Sequence, residues 1–163
     1  MIYNVKSNTG LSGFYIVYKG STEIENKKTY GVSHLVEHLM MKNIKAFEKK
    51  MCSDGITVNA YTSESTVVCF ITGLDRYVYK WRTKFLDSLL EFKNLTEDEI
   101  ENERSVVLEE YTDMFADIQF SNILNIHSKI FKYNQLYFDL SPYHKKIMYI
   151  NLLSICVILS LRG

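Results

Sequence analysis

The chain has 163 residues, 47% of them apolar and 23% charged, and 19 Lys and Arg balance 19 Asp and Glu. This length suits one domain with a real core, and the balanced charge gives no electrostatic footing for nucleic acid or an anionic membrane as a partner. Three cysteines, Cys52, Cys69 and Cys156, form no C-x-x-C pair, and an odd number cannot all be consumed by internal disulfides. Met1-Ile2-Tyr3-Asn4-Val5-Lys6 lacks the pattern of a secretory or transit segment. The expectation is a cytoplasmic protein organised as a single domain over residues 1–163.

In chain order, residues 12–19 are rich in β-branched and aromatic types and predict a strand, followed by a polar loop over 20–28. From Val32 the apolar positions Val32, Leu35, Val36, Leu39 and Met40 recur at helical spacing, which predicts a helix after Gly31. A second short helix is expected over 44–52, closed by Ser53-Asp54-Gly55. Two β-rich runs, 56–62 and 66–72, joined by Ser63-Glu64-Ser65, read as an antiparallel hairpin. Residues 75–92 carry Tyr77, Val78, Trp81, Phe85, Leu86, Leu89 and Leu90 as one apolar helical stripe. Thr96 and Glu99 have the spacing of a capping box and open a long helix to about residue 118. The helical pattern extends over 120–133, and Asp139-Leu140-Ser141-Pro142 marks a turn. The apolar tail over 147–161 is interrupted and shorter than the roughly 20 residues of a membrane helix, so it predicts a buried strand over 155–159. The order predicts an α+β fold, with helices packed on an antiparallel or mixed sheet.

The chemistry concentrates in His34-Leu35-Val36-Glu37-His38. Residues four apart share one face of a helix, so His34 and His38 can aim two imidazole nitrogens at one zinc ion, about 2.0–2.1 Å from each. Glu37 sits on the same side without being needed as a ligand, the place of a general base for a metal-bound water. Chance alone supplies this short pattern in about one in a hundred such chains, so a third ligand is needed to support it. The helix from Thr96 offers Glu103, Glu109 and Glu110. Its stripe of Ile100, Val107, Tyr111, Met114 and Ile118 should face the core; Glu103 and Glu110 flank Val107, and Glu109 points away. A carboxylate beside a core stripe needs a partner, and a metal or a metal-bound histidine would be one. His127 and His144 have no ligand-like spacing.

Three segments resemble, in order, the pitrilysin, insulysin and mitochondrial processing peptidase family of zinc metallopeptidases. They are the run from Gly31 through His34, Glu37 and His38 to Met40, then Gly55 with Asn59-Ala60-Tyr61-Thr62-Ser63, and the run from Glu103 to Glu110. The family signature is His-x-x-Glu-His with a ligand glutamate about seventy residues further on. The resemblance covers about residues 12–150 and implies a shortened peptidase domain of the pitrilysin type, truncated or divergent over about 147–163. It implies one Zn2+ per chain held by His34, His38 and Glu110, with Glu37 and Glu103 as the catalytic acidic residues, base and support respectively. It also implies that Asn59, Ala60 and Tyr61 contact an extended substrate that adds as a further strand.

The function expected on these grounds is a zinc-dependent endopeptidase acting on peptides or unfolded protein. Family domains are usually longer and occur in pairs, so a homodimer or a second subunit is expected to complete the cleft. The alternative is a non-catalytic zinc-binding or peptide-presenting subunit that needs a partner chain; the short length favours it, and the intact Glu37 argues against it.

Overall fold

Alternation of inward Phe14, Ile16 and Tyr18 makes Leu11–Lys19 the strand β1, central to the sheet. The computed structural model describes residues 9–25, 29, 31–91, 95–116, 118–119, 122–123 and 126, with the backbone of 155–158. β2 (Thr57–Thr62) and β3 (Thr66–Leu74) form the expected hairpin, and β3 runs antiparallel to β1 from Leu11↔Leu74 to Lys19↔Thr66. β4 (Ile155–Ile158) pairs antiparallel with the other side of β1, giving a sheet of order β2-β3-β1-β4. A strand within the expected 155–159 is therefore present; its side chains lie outside the described residues.

Among the described residues, three long helices complete the α+β fold: α1 (Val32–Ser53), α2 (Asp75–Leu90) and α3 (Glu97–Ala116). α1 and α2 pack on the inner sheet face, where Val36, Met40, Ile44, Trp81 and Phe85 meet Ile16, Cys69 and Ile71. The Phe85 ring stands edge-on to Phe14 at 6.3 Å, and Phe47 stacks on Trp81 at 6.0 Å. Leu35 and Leu39 use a second stripe of α1 to bury Val107 of α3. α1 is thus held between the sheet and α3, and each fully buried apolar side chain there contributes about 1.5–3 kcal/mol.

The separate helix expected over 44–52 is part of α1, which runs on without a break. No glycine or proline lies between Met41 and Lys50 to interrupt it, and Asn43 turns its amide to the Ser88 carbonyl of α2 at 3.4 Å. The expected stop at Ser53-Asp54-Gly55 is real: Gly55 takes the left-handed conformation, its N–H reaches Cys52 O, and Ile56 N–H reaches Met51 O. The capping box forms as its spacing predicts, with Thr96 N–H donating to Glu99 Oε2 at 2.9 Å and Glu99 N–H to Thr96 Oγ1 at 3.3 Å. The core stripe of α3 stops short of expectation. Met114 and Ile118 are exposed, because the helix meets α1 only as far as Tyr111, which lies against the first turns of α1. Positions 122, 123 and 126 are helical, while the turn at 139–142 and His127 and His144 lie outside the described residues. Among the described residues no helix is long and apolar enough to cross a membrane.

Asp54 closes α1 and ties it to α2 by accepting from Lys80 Nζ at 2.6 Å and Trp81 Nε1 at 2.7 Å. These bonds hold its carboxyl below the usual aspartate range. A depressed carboxyl contributes stability that is present above the ordinary value, near pH ~4, and is lost as pH falls through the folded value. Denaturant midpoints should therefore separate the parent from Asp54→Asn at neutral pH and converge in acid.

Candidate active site

The site forms where α1 is enclosed by β2 on one side and α3 on the other. His34 and His38 lie beside the Leu35 and Leu39 stripe and so face α3, whereas Glu37 is turned to the sheet side. His34 Nε2 and His38 Nε2 stand 3.2 Å apart, and Glu110 Oε2 of α3 lies 3.5 Å from the first and 3.4 Å from the second. Ligand atoms set 2.0–2.1 Å from a tetrahedral centre are about 3.3–3.4 Å apart, so this triangle has the dimensions of three zinc ligands. With both Nε2 atoms unprotonated, two imidazole lone pairs and a carboxylate aimed at one point repel each other, and a cation between them would relieve it. The donor set therefore fits zinc, and these three residues are the ones that could hold it.

Glu103, also from α3, is buried and stands behind His38, with Oε2 at 3.6 Å from Nδ1. That buried oxygen has no hydrogen-bond partner among the described residues, and Lys45 Nζ approaches Oε1 at 3.9 Å. A negative charge at Nδ1 favours the tautomer with its proton there and its lone pair on Nε2. Glu110 differs in keeping 47% of its side chain exposed, so the triangle opens to solvent on that side. Glu109 is exposed and takes no part.

Burial holds the His34 imidazolium down, helped by the neighbouring His38, which leaves His34 as a neutral ligand-ready base. Burial pushes the Glu37 carboxyl up, against the hydrogen bond that Thr62 Oγ1 donates to Glu37 Oε2 at 2.5 Å. A carboxyl raised in this way is matched to taking a proton nearer neutral pH. Burial likewise raises the Tyr111 hydroxyl, with the charges of Glu25, Glu110 and Glu37 adding to it, while the ring meets His34 at 5.2 Å. Under the site, burial pushes the Cys69 thiol up to about 12, so it is a core residue without thiolate character.

Among the described residues β2 is an edge strand, and Asn59, Ala60 and Tyr61 lie on it beside the site. Asn59 and Tyr61 point outward; Ala60 packs against the core, and its N–H donates to Asn59 Oδ1 at 2.8 Å. The structure thus brings together His34, Glu37, His38, Glu103 and Glu110, with the Asn59 strand alongside. The sequence assigned no role to two neighbours, one of them within the Asn59-to-Ser63 segment. Thr62 is a polar residue at an inward position of an alternating strand, which is a signal, but its partner is remote in sequence. Glu25 gave no local signal: from the turn after β1 it accepts Gly31 N–H at 2.9 Å and Ser33 N–H at 2.7 Å. It does the work of a cap where Gly31, at φ 76°, has no side chain to offer.

The sequence pattern described as Insulinase (Peptidase family M16) matches residues 4–141. Mitochondrial-processing peptidase subunit beta of Mus musculus is 30% identical over 121 residues, covering 69% of this chain and 24% of the relative. The subunit beta of Neurospora crassa is 27% identical over 139 residues, covering 82% and 29% respectively. Among solved structures, a protease from Helicobacter pylori aligns with a TM-score of 0.57 and 27% identity over 71% of this chain and 29% of its own. The periplasmic protease PqqL from Escherichia coli aligns with a TM-score of 0.68 over 98% of this chain and 20% of its own, at 17% identity, which speaks to the fold. Fold and sequence together define a peptidase-type domain. The chain belongs to peptidase family M16, the insulinase family. It spans about a quarter of the length of the curated relatives it matches.

Glu25→Ala leaves two N–H groups of the first turn of α1 without their acceptor and should cost about 1–2 kcal/mol, while Glu25→Gln costs less. Urea midpoints of the metal-free chain measure both; equal midpoints for all three proteins would contradict this cap.

Proposed function

We propose that this chain is a zinc metalloendopeptidase whose ion is held by His34, His38 and Glu110, with Glu37 as the base. The observation that carries it is the triangle of 3.2, 3.4 and 3.5 Å among two imidazole nitrogens and one carboxylate oxygen, beside a buried carboxylate on the same helix. Zinc, when bound, supplies Lewis acidity, lowering the pKa of a coordinated water toward about 7 and polarising the scissile carbonyl.

The chain's own residues do the rest. An extended peptide adds to the edge of β2, with Asn59, Ala60 and Tyr61 as its backbone contacts, so substrates are short or unfolded segments. The Thr62 hydroxyl occupies Glu37 Oε2, which leaves Oε1 to take the proton of the attacking water. A bond forms from the water oxygen to the carbonyl carbon, the C–N bond breaks, and Glu37 returns the proton to the leaving amine nitrogen. Glu103 keeps His38 oriented by its charge at Nδ1.

A second reading has an observation of its own. The match covers only 24% and 29% of these curated relatives, and several bear the name of one subunit, so this chain would bind zinc or present peptide and need a partner chain, or a second copy, to close the cleft.

Glu37→Gln should keep one zinc per chain while cleavage of a peptide library falls about 10²–10⁴-fold. Glu110→Ala should lose the metal in a chelator competition. A parent chain that holds zinc and cuts nothing without a partner would favour the subunit reading.

A further inference from the structure

Glu37 reaches the reacting centre on a flexible side chain, and a base must be held within about half an ångström of its working position. Only one side-chain hydrogen bond to Glu37 is described, from Thr62 Oγ1 to Oε2 at 2.5 Å. Thr62 is the last residue of β2 and shares the inward side of that strand with Val58 and Ala60, so its hydroxyl faces α1 and not the free edge.

The position of Thr62 is itself held firmly. It pairs with Val67, and the next residue returns its N–H to Thr66 O at 2.8 Å, with Ser63 Oγ also engaging Thr66. The tip of the hairpin is anchored to the turn after β1, through Gly20 N–H to Ser65 O at 2.9 Å and Glu23 N–H to Glu64 O at 2.8 Å. That turn leads to Glu25, whose carboxylate holds the first turn of α1. Hairpin tip, turn and helix start therefore form one hydrogen-bonded frame, with Thr62 and Glu37 inside it.

We infer that Thr62 is a positioning residue for Glu37: its hydroxyl fixes Oε2 and aims Oε1 at the reacting centre, from the same strand whose edge receives the peptide. This rests on the peptidase reading above. Because the hydroxyl points inward, its loss leaves the backbone contacts of the edge intact, and the effect falls on the chemical step. Among the described residues, Glu37 is the hydrogen-bond partner of the Thr62 hydroxyl.

The test compares the full-length parent with Thr62→Val, which keeps the shape and removes the donor, and with Thr62→Ser, which keeps the donor. Thr62→Val should lower kcat about tenfold with KM and zinc content unchanged, and Thr62→Ser should recover most of kcat. If valine prevents folding, Thr62→Ala is read in the same way. Unchanged kcat, or a loss confined to KM or to zinc content, would overturn the inference. Denaturant midpoints of the parent, Thr62→Val, Glu37→Leu and the double variant read the pairing without activity: non-additive shifts are expected, and additive shifts overturn it. A parent that binds zinc and cleaves no peptide overturns the peptidase reading and the catalytic role of Thr62 with it, whatever the midpoints show.

Discussion

Val107 is wholly buried against Leu35 and Leu39, and this one apolar contact sets the register of α3 on α1. The residues that flank Val107 on the same face, about one turn before and one turn after, are Glu103 and Glu110. Once Val107 is seated, Glu103 falls behind His38 and Glu110 in front of both histidines. Ion pairs extend the same registration along the helices, Lys42 with Glu99 at 3.1 Å among them. The packing of α3 on α1, more than the contacts among His34, His38 and Glu110 themselves, brings these three groups together. The apolar seam supplies the energy, and the polar site is assembled on it.

The opposite side of α1 has an equivalent constraint. Its sheet-facing residues, Val32, Val36, Met40 and Ile44, lock the helix over β1 and β3, which places Glu37 against the end of β2. Glu37 and the prospective ligands thus approach the same space from different walls. Thr62 of β2 lies within hydrogen-bonding distance of Glu37, so under the proposed function one hairpin would serve both peptide binding and proton transfer.

Much of this was legible in the chain because it is local. The His-x-x-Glu-His run, the capping box at Thr96, the stop at Gly55 and the alternation of β1 and β3 are each set by a few neighbouring residues, and each formed as its chemistry required. The periodicity of α3 was enough to put Glu103 and Glu110 on one face, yet it could not show that one is buried and the other half open, because that depends on where α1 ends. For the same reason Met114 and Ile118 looked like core and are exposed. The continuity of α1 through Asn43 was not legible, because it is fixed by packing against α2, whose Ser88 carbonyl accepts the Asn43 amide. Thr62 and Glu25 were hidden because their partners are set by the tertiary frame.

The central claim is that His34, His38 and Glu110 form one zinc site. X-ray absorption at the zinc edge of the loaded full-length chain measures it most directly. Two imidazole nitrogens near 2.0–2.1 Å and carboxylate oxygen near 2.0–2.2 Å are the result this account predicts. A sulfur shell near 2.3 Å, or a shell without imidazole scattering, would contradict it.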